Sequence, residues 1–215
     1  MHRSPQTYAR AAGILYLTTH VTSVTAVVAY AHDAVAGGVA LELALALGCV
    51  GTGILLWALL RTRGTVRAVT FALLRTVEAA VIVAGTLPMV ALLWTEDAAG
   101  TPLGDALADV HTASFLVGQG LVISVNTVVL GWLLHDAGVV QRALALLGVG
   151  GGLLVLTSNL AQLFGIIPRN GTAAGICAVP VFAFEIWLAL HLILRPGRWA
   201  AASVTSGAGR TTATG

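Results

Sequence analysis

Three charged side chains interrupt otherwise apolar sequence, and they are the residues best able to do chemistry. Arg75 and Glu78 lie three apart within Ala68–Trp94, so on a helix they share a face and can form an ion pair. Glu185 lies within Ala173–Leu194, with no basic residue inside one turn of its own helix. It needs Arg75, His20 or a proton. At mid-membrane a charge costs at least about 2.5–3.5 kcal/mol on insertion scales, so each demands a partner or water.

The bulk composition explains why a membrane is the expected setting. Of 215 residues, 57% are hydrophobic and only 9% charged. A soluble domain carries roughly a quarter charged residues, and so few could not cover a water-facing surface. Lipid is therefore the expected solvent and the main partner. All 11 basic residues are arginine, and the Ala, Val, Leu and Gly load suggests a bacterium of high genomic GC content. Net charge is +2 with no basic face, which argues against nucleic acid as a partner.

Six apolar segments are each long enough to cross a hydrocarbon layer of about 30 Å at 1.5 Å per residue. They run over 11–31, 39–60, 68–94, 108–134, 143–167 and 173–194. The fold class expected is an all-α integral membrane protein, a six-transmembrane-helix bundle over 1–198 with a disordered cytoplasmic tail over 199–215. The first segment is too long for a signal-peptide core and lacks a small-residue cleavage pattern, so it reads as a retained helix. Gly148 and Gly152 have the small-x-x-x-small spacing that lets helices approach closely in lipid.

Orientation follows from the arginines. Arg3, Arg10, Arg61, Arg63, Arg67, Arg142, Arg195, Arg198 and Arg210 fall on one side, and Arg169 alone on the other. The opposite side has an acidic loop with Glu96, Asp97 and Asp105. The excess of positive charge predicts both termini in the cytoplasm and the inner (plasma) membrane as the location.

Counting depth along these helices assembles the polar groups. Glu78 and Glu185 reach one layer, roughly 15 Å from the arginine-rich end, with His20 level with them and Asn126 close. Arg75, Glu78, Glu185, His20 and Asn126 thus form a candidate intramembrane polar site. His111, Asn159 and Gln162 form a second layer nearer the opposite end. With both carboxylates ionised the first layer would carry a net negative charge, so a proton or a charged His20 must balance it. A plainer role exists for each amide: Gln119, Asn126, Asn159 and Gln162 can serve as interhelical hydrogen bonds, worth about 0.6 kcal/mol each. The Arg75–Glu78 pair can likewise serve packing alone.

Other chemistries find no pattern. There is no H-E-x-x-H, no G-x-S-x-G and no C-x-x-C, and the run Gly148–Gly152 follows no strand. Neither a metal nor a cofactor is expected, and Cys49 and Cys177 read as small core residues. Three functions remain open. One is small-molecule or ion binding and transport, with a carboxylate exchanging a proton or holding a cation. Another is a membrane enzyme acting on a lipid-like substrate, and the third a non-catalytic membrane subunit.

Four segments together resemble a known family. They are Ala9–Leu17, Phe71–Ala79, Asp109–His111 and Pro180–Leu188. Over about residues 8–195 the chain resembles the bacterial domain-of-unknown-function family 4386, multi-pass membrane proteins. The resemblance implies that Arg75, Glu78, His111 and Glu185 match the family's recurrent polar positions. It implies no reaction.

Overall fold

The computed structural model describes residues 4–95, 98 and 100–199. Arg3, Glu96, Asp97, Arg210 and the tail over 200–215 lie outside the described residues. The elements are α1 (Pro5–Ala31), α2 (Val35–Leu60), α3 (Thr65–Trp94), α4 (Pro102–Phe115), a π-helical segment (Leu116–Val122), α5 (Ile123–Ala137), α6 (Arg142–Leu163) and α7 (Thr172–Leu194). The π segment joins α4 and α5 into one long span. Counting it so, six helices among the described residues are long and apolar enough to cross a membrane. The chain is an all-helical multi-pass membrane protein.

Most helices extend beyond the apolar runs read from sequence, for a local reason. Ser4 caps α1 by accepting the Thr7 amide, with Pro5 in the first turn. Thr101 caps α4 through the Gly104 amide, with Pro102 following. Such caps satisfy the free amides of the first turn, so polar turns stay helical although hydropathy does not detect them. The fifth span is instead shorter than expected. It ends at Leu163 rather than residue 167, and Gly165 takes the left-handed conformation (φ +70°) that closes a helix. The bundle also runs past the expected boundary at 198, since Trp199 is fully buried and donates its indole N–H to His191 Nδ1 at 3.3 Å.

Chain neighbours pack in order. α1 lies on α2, α2 on α3, α3 on α4 and α5, α5 on α6 and α6 on α7. Contact between α1 and α7 closes the ring. Small residues set the close approaches: a Cβ on Gly13 would stand 2.7 Å from the Ala189 carbonyl oxygen, and one on Gly148 2.7 Å from the Phe184 ring. Without a hydrophobic drive between helices in lipid, such contact is what associates them.

The interior is stratified. Toward the end that holds the termini lies an apolar cluster including Tyr16, Leu56, Phe71, Leu133, Phe184 and Leu188. A smaller cluster farther along contains Leu45, Cys49, Ala79 and Ile82. Along α3, Phe71 belongs to the first and Ile82 to the second, and Arg75 and Glu78 lie between them. Outward faces are apolar, with Leu47 75% and Leu87 65% exposed. In water that surface would be an aggregation site, and in lipid it is solvated.

Candidate functional site

Helix periodicity brings Arg75 and Glu78 inward together on α3, and both are buried. Arg75 Nη1 donates to Glu78 Oε2 at 3.0 Å and to Oε1 at 3.1 Å. Two further donors go to one hydroxyl of α2: Nε and Nη2 reach Thr52 Oγ1 at 3.2 and 3.1 Å. The guanidinium carbon lies 5.4 Å from the centroid of the Tyr16 ring on α1, a cation–π distance. Glu78 is held from two further helices. Asn126 of α5 donates to Oε2 at 2.6 Å, and the Cys49 thiol of α2 lies 3.7 Å from Oε1. Both charges are thereby saturated, as buried charges must be.

Glu185 of α7 takes a different partner. His20 Nε2 of α1 stands 3.3 Å from Glu185 Oε2. The other ring nitrogen, Nδ1, lies 2.9 Å from the Tyr16 carbonyl oxygen. A carbonyl can only accept, so Nδ1 carries a hydrogen. Nε2 is thereby left to face the Glu185 carboxylate.

A cavity of about 320 Å³ opens beside this pair. His20, Glu185, Arg75 and Glu78 contribute its polar wall, with Ser23 and Gln119, while Val24, Val27, Val28, Leu45 and Phe182 contribute its apolar wall. Val24, Val27 and Val28 are about half exposed on the outer side of α1. The cavity thus reaches the lipid-facing surface of the bundle. Phe182 stacks edge-on to His20 with ring centroids 4.9 Å apart, which fixes the imidazole from the cavity side.

The second expected layer is divided. His111 of α4 stands with Nε2 3.1 Å from both oxygens of Glu42 on α2. Tyr30 of α1 donates its hydroxyl to Glu42 Oε2 at 2.9 Å and packs on the His111 ring. Asn159 and Gln162 lie elsewhere, on α6. Asn159 bonds the Val155 carbonyl, while Gln162 bonds Asn159 and receives the Asn170 amide. None of these bonds reaches His111. The two amides stitch α6 to itself and to the turn before α7.

Glu42 is the site residue that sequence reasoning passed over. Its signal was present, since an acid inside the apolar run 39–60 demands a partner as Glu78 does. Thr52, Cys49 and Tyr16 gave no signal, because their polar atoms are small and such residues are common in membrane helices. Among the described residues, no three of His, Cys, Asp or Glu converge to hold a metal ion.

No curated protein and no solved structure matches the chain. A family model does, over residues 11–195, a range that includes every residue of the polar layer and of the Glu42 cluster. The chain belongs to that family, described as Domain of unknown function (DUF4386).

Proposed function

We propose that this protein binds a small, largely apolar molecule bearing a basic amine, in the cavity beside His20 and Glu185. The observation that carries the reading is the contrast between the two carboxylates. Both line the cavity, but Glu78 is saturated by Arg75, Asn126 and Cys49, whereas among the described residues Glu185 has only His20 as a polar partner. An ammonium group entering the cavity can take the Glu185 carboxylate as its counter-ion, releasing a proton if Glu185 or His20 holds one. The volume, about 320 Å³, lies at the small end of ligand pockets, and a mostly apolar wall with few polar groups is their usual composition. Opening past Val24, Val27 and Val28 favours a molecule that arrives from the bilayer. Proton release on binding would couple such a ligand to pH, which is what a transport role needs.

The same reading places both termini in the cytoplasm and the bundle in the plasma membrane. Arg10, Arg61, Arg63, Arg67, Arg142, Arg195 and Arg198 mark the termini's end, against Arg169 at the other.

The test uses purified full-length protein in detergent with phenethylamine, phenylacetate and benzyl alcohol as probes. A ligand specific for the folded state raises the unfolding temperature, the more so the further its concentration exceeds Kd. Phenethylamine should raise it, the other two should not, and Glu185→Gln should fold normally but lose the effect. An equal effect of all three probes, no effect of any, or a shift retained in Glu185→Gln would overturn the proposal.

A further inference from the structure

Among the described residues two histidine–glutamate pairs occur, His20–Glu185 and His111–Glu42, and one side chain stands between them. Gln119 lines the main cavity, where it accepts the Ser23 hydroxyl at 3.0 Å. It also lines a second void with Glu42, His111 and Ser114. That void measures about 10 Å³, close to what one water centre occupies, and its polar side chains could give a water its two to four partners. Beyond it, Tyr30 bonds Glu42 from the last turn of α1. His111 keeps partial exposure there, its side chain 14% accessible.

Toward the termini the layer is closed. Tyr16, Phe71, Phe184 and Leu188 are fully buried beneath it in the apolar cluster. Gln119 belongs to the π-helical segment, whose wider turn interrupts the regular helix at this point. π-Helical turns inside α-helices are frequent at functional positions.

We propose that Tyr30, Glu42, His111 and the water-sized void beside Gln119 form a proton route. It connects His20–Glu185 with the bundle end that holds the α1–α2 and α3–α4 connections. The route rests on the reading of Glu185 as a proton-exchanging site and says from which end its proton comes. A proton taken up by the Glu42–His111 pair passes to a water in the void. That water releases another proton past Gln119 to a water in the main cavity, from which Glu185 or His20 Nε2 accepts it. The reverse sequence returns it, and no other bond changes. The remaining titratable neighbours are committed: Arg75 to Glu78 and Thr52, Cys49 to Glu78, and Tyr16 lies under the Arg75 guanidinium. Gln119 is a positioning residue that separates the two voids.

The test is hydrogen exchange at the His20 ring, followed by ¹⁵N NMR on the full-length, histidine-labelled chain in lipid nanodiscs. His20→Gln assigns the signal. Glu42→Gln, His111→Gln and Gln119→Leu should each slow exchange at His20 at least tenfold while leaving its chemical shift unchanged. A merely structural Glu42 would move the shift or leave the rate alone. Should one variant fail to fold, the other two carry the measurement. Unchanged rates overturn the route, as does exchange too fast to follow in every variant, which would mean that bulk water reaches His20 by another way. No exchange in the parent protein overturns it as well. Phenethylamine stabilisation, measured on Glu42→Gln and His111→Gln, which lie outside the main cavity's lining, separates this from the binding reading. If stabilisation persists and the rates do not change, the route alone fails.

Discussion

The Asn126 amide of α5 donates to Glu78 Oε2 at 2.6 Å, the carboxylate oxygen that Arg75 holds from α3. One oxygen thus receives a neighbour on its own helix and a donor from two helices onward in sequence. The polar layer is a fastening between helices as much as an ion pair. Its geometry also leaves Glu78 no free capacity for a ligand, which directs attention to Glu185.

That fastening has a measurable worth. Asn126→Leu removes one donor from a buried carboxylate and should cost about 1–3 kcal/mol. Asn126→Asp should cost more, because it places a second carboxyl against Glu78. Unfolding in a denaturing detergent series ranks the three proteins. A parent no more stable than Asn126→Leu would show that the bond contributes nothing.

Arg75→Leu should be among the most damaging single changes, at about 3–5 kcal/mol, because it strands Glu78 in the interior. The double variant Arg75→Leu with Glu78→Leu should recover most of that loss, since replacing both partners of a buried pair is often close to neutral. Thermal unfolding of the single and double variants measures the difference. A double variant as unstable as the single would mean that the guanidinium's bonds to Thr52, not the ion pair, hold the layer.

The spacing of His20 from Glu185 depends on how closely α1 lies on α7. A Cβ on Gly13 would meet the Ala189 carbonyl at 2.7 Å and Ile193 at 2.7 Å. Gly13→Leu should therefore push the helices apart, destabilise the protein and abolish phenethylamine binding together. Gly37→Ala is the control, since its Cβ would meet nothing within 4 Å. It should change stability by no more than about 1 kcal/mol, in the stabilising direction, through helix propensity. Equal melting temperatures for Gly13→Leu and the parent would contradict the packing described.

Topology is tested by reporter fusions after Gly64 and after Gly100, one in each type of connection. A cytoplasmic reporter should be active at the first and silent at the second. Equal signals at both sites would refute cytoplasmic termini.

Much of this protein was determined by composition and run length. Six long apolar segments in a chain with few charges leave lipid as the only adequate solvent, and lipid leaves helices as the only backbone that satisfies itself here. The pairing of Arg75 with Glu78 was equally legible, because three residues of α-helix place two side chains on one face whatever surrounds them. The isolation of Glu185 was legible for the converse reason, and His20 was among the few partners it could have.

What the sequence could not decide was which helix stands beside which. His20 meets Glu185 only because α1 closes the ring against α7, and no local pattern encodes that closure. Depth counting put His111 level with Asn159 and Gln162, but depth fixes one coordinate of three. The angular position around the bundle sends His111 to Glu42 and the two amides to α6. Glu42 itself lies in the sequence for anyone to read, but its partners sit 12 residues before it and 69 after. The cavity is a property of several helices at once. Its shape depends on where side chains fail to fill the space between backbones, and only the packed bundle decides that.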